Sequence, residues 1–184
     1  GAVNLHPTHL PAYRGPNPMR SFYDGYPTLG ATMHWIADDF DTGRVLSQHT
    51  APLPHPVTPQ NIIAAWRPLM GQAFYEGVAR AVAGEAGVVQ DEAQASYAAP
   101  FSAAEHWLDL TEPADVVQRK FTALHMAHAG SAKVNLNGKG AGVEQLEVTR
   151  QASVVAPGAI IEQHETTCLV QTADGQVRLT LKAL

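Results

Sequence analysis

Ala2-Val-Asn-Leu-His-Pro-Thr-His-Leu-Pro-Ala-Tyr-Arg-Gly15 is the stretch on which the fold of the first half of the chain turns. Ala2 to Leu5 reads as the apolar end of a buried strand, and Pro7 stops it. Asn4 and His6 are two residues apart, so on an extended strand end both side chains point to the same side. That end is the C-terminal mouth of the strand, where open α/β sheets place their sites. A buried parallel strand needs neighbours on both sides, and nothing precedes Gly1 to supply them. The expectation is therefore a partial α/β domain. Its unpaired edge should make the isolated chain poorly stable or self-associating.

Working outward, Asn17 and Pro18 have the chemistry of an N-cap and first helical residue for a short helix to about Asp24-Gly25. Leu29 to Ile36 has strand composition, Ala37 to Gly43 is an acidic turn, and Arg44 to Ala51 is the next strand. Thr58-Pro59 opens the longest helix, to about Ala83. Ile62, Ile63, Trp66, Leu69, Met70, Ala73, Phe74 and Val78 give it a broad apolar stripe. From Gly84 to about Leu110 the pattern weakens into a linker, and Thr111 to Met126 forms a second amphipathic helix. Short strands follow at 132–136, 143–148, 158–162, 167–171 and 177–181, with turn signals at Asn137-Gly138, Pro157-Gly158 and Asp174-Gly175. The fold class is α/β followed by a small antiparallel β-barrel or sheet.

The chain has 184 residues with 12 Lys+Arg against 17 Asp+Glu, a formal net charge of −5. That balance excludes a nonspecific DNA or RNA binder, which needs clustered cations to displace counterions. No run of about 18 apolar residues is present, so no membrane-spanning helix is expected. The single cysteine, Cys168, has no internal disulfide partner, which fits a reducing cytoplasm.

Asn4, His6 and Asp41 form the candidate constellation. A histidine at a strand mouth can carry a proton or donate to a developing oxyanion, and a nearby carboxylate favours its imidazolium form. On spacing alone, a loop histidine and a turn-forming aspartate are the commoner reading. His125 and His128, three apart on a helix, read as solvated positions rather than metal ligands. Gly138 to Gly142 reads as a hairpin turn rather than a phosphate loop.

Asn4-Leu-His6-Pro-Thr-His-Leu-Pro11-Ala-Tyr-Arg14-Gly15 resembles the signature of the folate-dependent formyltransferases, a family that includes methionyl-tRNA formyltransferase. The pattern continues as Gly30-Ala-Thr-Met-His34-Trp-Ile-Ala-Asp-Asp-Phe40-Asp41-Thr-Gly43, with 23 residues from Pro11 to His34. The resemblance is looser from Asp91-Glu-Ala-Gln-Ala-Ser-Tyr97 onward, through Trp107-Leu-Asp-Leu-Thr111 to Asp174-Gly-Gln-Val-Arg-Leu179. Two stretches depart from the family: Pro16-Asn17 replaces a pair of small residues, and 121–130 lacks the Pro and Trp usual in the tRNA enzyme.

The resemblance implies that residues 1–90 are the C-terminal half of a Rossmann-like catalytic domain. By the same reading 91–110 is a linker and 111–184 a small OB-like β domain. It implies that Asn4, His6 and Asp41 are catalytic. Leu10, Pro11, Tyr13, Arg14, Gly15, His34 and Phe40 would line the site of 10-formyltetrahydrofolate, the formyl donor. In that chemistry protonated His6 and the Asn4 amide donate to the oxygen of a tetrahedral intermediate, Asp41 keeps His6 charged, and no metal takes part. The acceptor would be a small-molecule amine or an aminoacyl-tRNA. The small amine is favoured because residues 101–184 carry 7 basic and 9 acidic groups without a basic cluster. The alternative function is a non-catalytic ligand-binding module or an inactive fragment of such an enzyme.

Overall fold

The computed structural model describes residues 1–149, 151 and 154–183. They form two compact units, one of residues 1–55 and 59–100, the other of 56–58 and 101–184.

In the first unit, β1 (Val3–His6), α1 (Arg20–Asp24), β2 (Thr28–Trp35), β3 (Val45–Pro52) and α2 (Pro59–Val82) follow one another. The sheet order is β1-β2-β3 and both pairings are antiparallel. The expected parallel, Rossmann-like pairing therefore does not occur among these strands. The short 36–44 turn between β2 and β3 leaves no room for a parallel crossover.

Two sequence expectations shift for local reasons. The first helix begins at Arg20 rather than Pro18, because the Asn17 amide is not its cap but donates to the Ala99 carbonyl at 3.0 Å. On α2, Ile62, Trp66, Leu69, Ala73 and Gly77 are buried, whereas Ile63 and Phe74 are exposed. The helix thus covers the sheet with a narrower stripe than its composition suggests. Trp66 anchors it, meeting Phe22 edge to face at 5.3 Å and donating its indole N–H to the Gly30 carbonyl at 2.9 Å.

Gly30 has a second duty. A Cβ at this position would sit 2.2 Å from the His9 backbone nitrogen, so the bare glycine lets the 8–15 loop cross close over β2. Thr32 holds that loop by donating to the Thr8 carbonyl and accepting from the Leu10 N–H.

The segment after α2, expected to be a linker from residue 91, returns onto the first unit as far as residue 100. Val88 and Val45 exchange two backbone hydrogen bonds of 2.8 Å, and Ser96 and Ala98 pair with Pro11 and Arg14.

In the second unit, α3 (Ala114–Ala127) precedes β4 (Lys133–Leu136), β5 (Lys139–Thr149), β6 (Ile160–Gln163), β7 (Thr167–Gln171) and β8 (Gln176–Lys182). The strands form one antiparallel sheet in the order β4-β5-β8-β7-β6, whose outer strands β4 and β6 are not paired to each other among the described residues. The helix starts three residues later than its polar signal at Thr111, because Asp174 reaches from the β7–β8 turn to accept the Ala114 N–H at 2.8 Å. Val117, Phe121 and Leu124 of α3 are buried, as are Val134, Val143, Val177 and Leu179 of the sheet and Cys168. Asn137 and Gly138, with φ of 52° and 85°, form the two-residue hairpin turn between β4 and β5.

Candidate active site

Register brings the first pair together. In the β1–β2 ladder Asn4 lies opposite His34, and His6 opposite Thr32. Beyond β2 the 36–44 turn folds back, and two backbone features shape it. Gly43 passes so close to the Trp35 carbonyl that a Cβ would overlap it, and Asp41 adopts φ +55°. An aspartate tolerates this left-handed conformation better than most residues.

The Asp41 carboxylate is the hub. Its Oδ1 accepts from Asn4 Nδ2 at 3.1 Å and lies 3.4 Å from His34 Nε2. Its Oδ2 accepts the Gly15 N–H at 2.8 Å and lies 3.3 Å from His6 Nδ1. Asn4 Nδ2 also lies 3.3 Å from His34 Nε2. Four residues, Asn4, His6, Gly15 and His34, thus converge on one carboxylate.

Ring protons are assigned by the partners that can only accept. His6 Nε2 donates to the Tyr13 carbonyl at 2.9 Å, and His34 Nδ1 to the Trp35 carbonyl at 2.8 Å. His34 Nε2 then faces both Asn4 Nδ2 and Asp41 Oδ1, and it bonds the carboxylate when it carries a proton. Neutral His6 points an Nδ1 lone pair at a carboxylate oxygen, so this contact is one proton short of a hydrogen bond.

Burial lowers the His6 pKa, against the raising effects of the Tyr13 carbonyl and Asp41. The expectation that Asp41 keeps His6 charged is corrected accordingly: desolvation of a ring 4% exposed outweighs the neighbouring carboxylate. For Asp41, burial alone would raise the pKa. The His34 hydrogen bond, the Gly15 N–H and the positive potential of the two imidazoles reverse this and bring it down to about 2.

Asn4, His34 and Asp41 border a cavity of about 280 Å³ whose remaining wall is the 36–40 turn. Phe40 stands on its rim, 78% exposed. His6 is behind Asp41, with its Nε2–H already engaged, so no free N–H of this ring faces the cavity. The outward donation expected of protonated His6 is not seen.

The other residues expected to line a ligand pocket divide. Arg14 is fully buried and faces away from the cavity. Its Nε and Nη2 donate to Gln90 Oε1 at 3.1 and 2.9 Å, and its Nη1 and Nη2 to Glu92 at 2.9 and 2.7 Å. Leu10 is core, and with Pro11 it borders a separate groove beside β3. Tyr13 and Gly15 contribute backbone groups to His6 and Asp41; the Tyr13 ring packs on Tyr26 at 5.3 Å, and burial together with Asp24 raises its hydroxyl to about 12. Sequence reasoning did not single out Gln90, because nothing in a glutamine 49 residues beyond Asp41 marks it. Its Nε2 donates to the carbonyls of Asp41 and Gly43, each at 2.7 Å.

Residues 1–78 match the formyl transferase family model. Methionyl-tRNA formyltransferase from Syntrophomonas wolfei is 28% identical over 178 residues, covering 95% of this chain and 56% of that protein. The same enzyme from Pseudomonas paraeruginosa is 30% identical over 185 residues, with 98% and 57% covered. The chain thus spans little more than half the length of these relatives. Among solved structures, HypX from Aquifex aeolicus superposes with a TM-score of 0.77 at 19% identity, covering 98% of this chain and 32% of that one. An N-formyltransferase from Helicobacter canadensis, solved with folinic acid and dTDP-3-aminofucose, superposes with a TM-score of 0.74 at 16% identity, covering 98% and 66%. At such identities these structures speak to the fold.

Proposed function

Residues 1–78 belong to the formyl transferase family, and from that premise we propose that the protein transfers a formyl group from 10-formyltetrahydrofolate to a small-molecule amine. The observation that carries the reading is the Asp41 carboxylate. It is ionised, bordered by a cavity, fixed by Asn4 and Gly15, and in reach of one imidazole at each oxygen.

In this reading Asp41 accepts the proton that the amine loses as its nitrogen bonds to the formyl carbon, directly or through one water. The proton is shared with His6 Nδ1, which supplies the missing partner of Asp41 Oδ2 and becomes cationic only at that moment. Asn4 turns the N–H now aimed at His34 toward the formyl oxygen as negative charge gathers there. Removing one such donor typically costs about 10²–10³ in rate. His34 orients the Asn4 amide. The proton leaves with tetrahydrofolate when the bond from its nitrogen to the formyl carbon breaks. Side chains and one donor supply every step.

The acceptor is read from charge. The seven cations of residues 101–184 are dispersed among nine acidic groups, whereas a tRNA-binding face gathers its cations on one surface. The site's setting is read from the family: 1–90 as the later half of a Rossmann-like catalytic domain and 111–184 as an OB-like appendage.

The test is incubation of the full-length gene product with 10-formyltetrahydrofolate and a panel of amino sugars, amino acids and methionyl-tRNA, with formamide products detected by mass spectrometry. The reading expects a formylated small amine. Formylation of the tRNA alone would overturn the acceptor, and no formylated product from any amine would overturn the activity.

A further inference from the structure

Two loops build the site, 8–15 with the carbonyl that holds His6 and the N–H that holds Asp41, and 36–44 with Asp41 itself. Each contains a residue other than glycine in the left-handed region, Tyr13 at φ +57° and Asp41 at φ +55°. Such residues are strained and persist only where their surroundings impose them. One side chain touches both loops. Gln90, 7% exposed, uses both ends of its amide. Its NH₂ donates to the carbonyls of Asp41 and Gly43, both at 2.7 Å, and its oxygen accepts two hydrogen bonds from the Arg14 guanidinium.

The rest of the 88–98 segment secures this side chain from both flanks. Val88 is laddered to Val45, just beyond the Asp41 loop. Ser96 accepts the Arg14 N–H through its carbonyl and the Tyr13 N–H through its Oγ, and Ala98 donates to the Arg14 carbonyl. Arg14 is fixed in turn by Glu92 and lies 5.9 Å from the Tyr97 ring centroid. A buried guanidinium with no partner would be costly, so its full satisfaction makes this a rigid brace.

We infer that Gln90 is a positioning residue for the reaction, a strap carried by the segment after α2 that holds the Asp41 backbone so that its carboxylate meets Asn4, His6 and His34 together. The inference rests on the proposed function for its consequence in catalysis, but its structural half stands apart. Gln90 touches none of the groups that react. It acts through two carbonyls, one belonging to Asp41. The 88–98 strap is therefore part of the catalytic unit rather than a tether.

The test uses the full-length protein with Gln90→Glu and Gln90→Ala. Glutamate keeps the acceptor that Arg14 needs and loses the donors to the two carbonyls; alanine removes both without adding charge, and serves if the glutamate variant does not fold. Two readouts are taken. One is the kcat and KM for formyl transfer. The other is the titration of the Asp41 carboxyl, followed by ¹³C NMR without substrates and assigned with Asp41→Asn; the groups facing this carboxyl are His6 and His34. Expected are a fall in kcat of about 10- to 100-fold with KM for the formyl donor within about twofold, and an upward move of the Asp41 titration. Unaltered kcat with an unmoved titration overturns the proposal, as does a loss of thermal stability with both readouts unmoved. If the unsubstituted protein transfers no formyl group, the proposed function fails. The strap is then judged by the titration alone, which supports it by moving and overturns it by staying.

Discussion

His6 Nδ1 lies 3.3 Å from Asp41 Oδ2 while the opposite ring nitrogen donates to the Tyr13 carbonyl at 2.9 Å. In the proposed reaction the two residues act as a proton-accepting pair. Asp41 is ionised because Asn4, Gly15 and the imidazoles favour its charge, and His6 is pushed toward neutrality by burial. A proton entering between them therefore completes the one hydrogen bond this contact lacks. His6→Gln should abolish this storage while leaving an amide to bond Tyr13. We expect kcat to fall about 10²–10⁴-fold with KM for the formyl donor little changed, measured by steady-state formyl transfer.

Acid stability follows from the same pair. The Asp41 carboxyl drops from an ordinary 3.8 to about 2 in the fold. Its contribution, about 2 kcal/mol by linkage, is fully present above the unfolded value and is lost as pH falls through the folded one. The His6 ring has a pKa lowered from 6.5, so it too favours the unfolded chain as pH falls below that ordinary value. Both effects make the fold acid-labile. The thermal midpoint of Asp41→Asn should accordingly fall less steeply than that of the parent between about pH 4 and pH 2.

His34 orients Asn4 and supports the charge on Asp41. His34→Met puts an apolar side chain of similar reach on β2 and removes both interactions. The Asp41 titration should rise and kcat fall about tenfold or more. An unmoved Asp41 titration would assign the carboxylate's acidity to Asn4, Gly15 and His6 without His34.

Gly30→Ala tests how the site loop is seated. The added methyl would meet the His9 and Thr8 backbone at 2.2 to 2.6 Å, and backbone cannot swing aside as a flexible side chain can. We expect destabilisation at or above the ~1–3 kcal/mol of ordinary overpacking, read by chemical denaturation.

The sequence was most legible where short-range spacing carried the information. Asn4 and His6 on one strand end, with Asp41 in the turn after the next strand, could be read from two motifs, and in the structure they converge. Asn137-Gly138 announced its hairpin because two consecutive positive φ angles suit those residues. What escaped was set by partners distant in the chain. Arg14 reads like a surface cation waiting for a ligand. Its partners are Gln90 and Glu92, 76 and 78 residues away, and no local pattern states that pairing. Asn17 reads like a helix cap until the Ala99 carbonyl competes for its amide. The charge of His6 was misread because a carboxylate neighbour is visible in a motif, whereas the depth of burial is a property of the whole packed unit.

The central claim is that Asp41 takes up the amine proton. Rapid-quench measurement of a single turnover, with labelled formyl donor and a formylatable amine, compares the full-length protein with its Asp41→Asn variant, which keeps the side-chain shape and removes the base. The account predicts that the rate of the chemical step falls by about 10²–10⁴-fold with donor binding preserved. A single-turnover rate equal to that of the unsubstituted protein would contradict it.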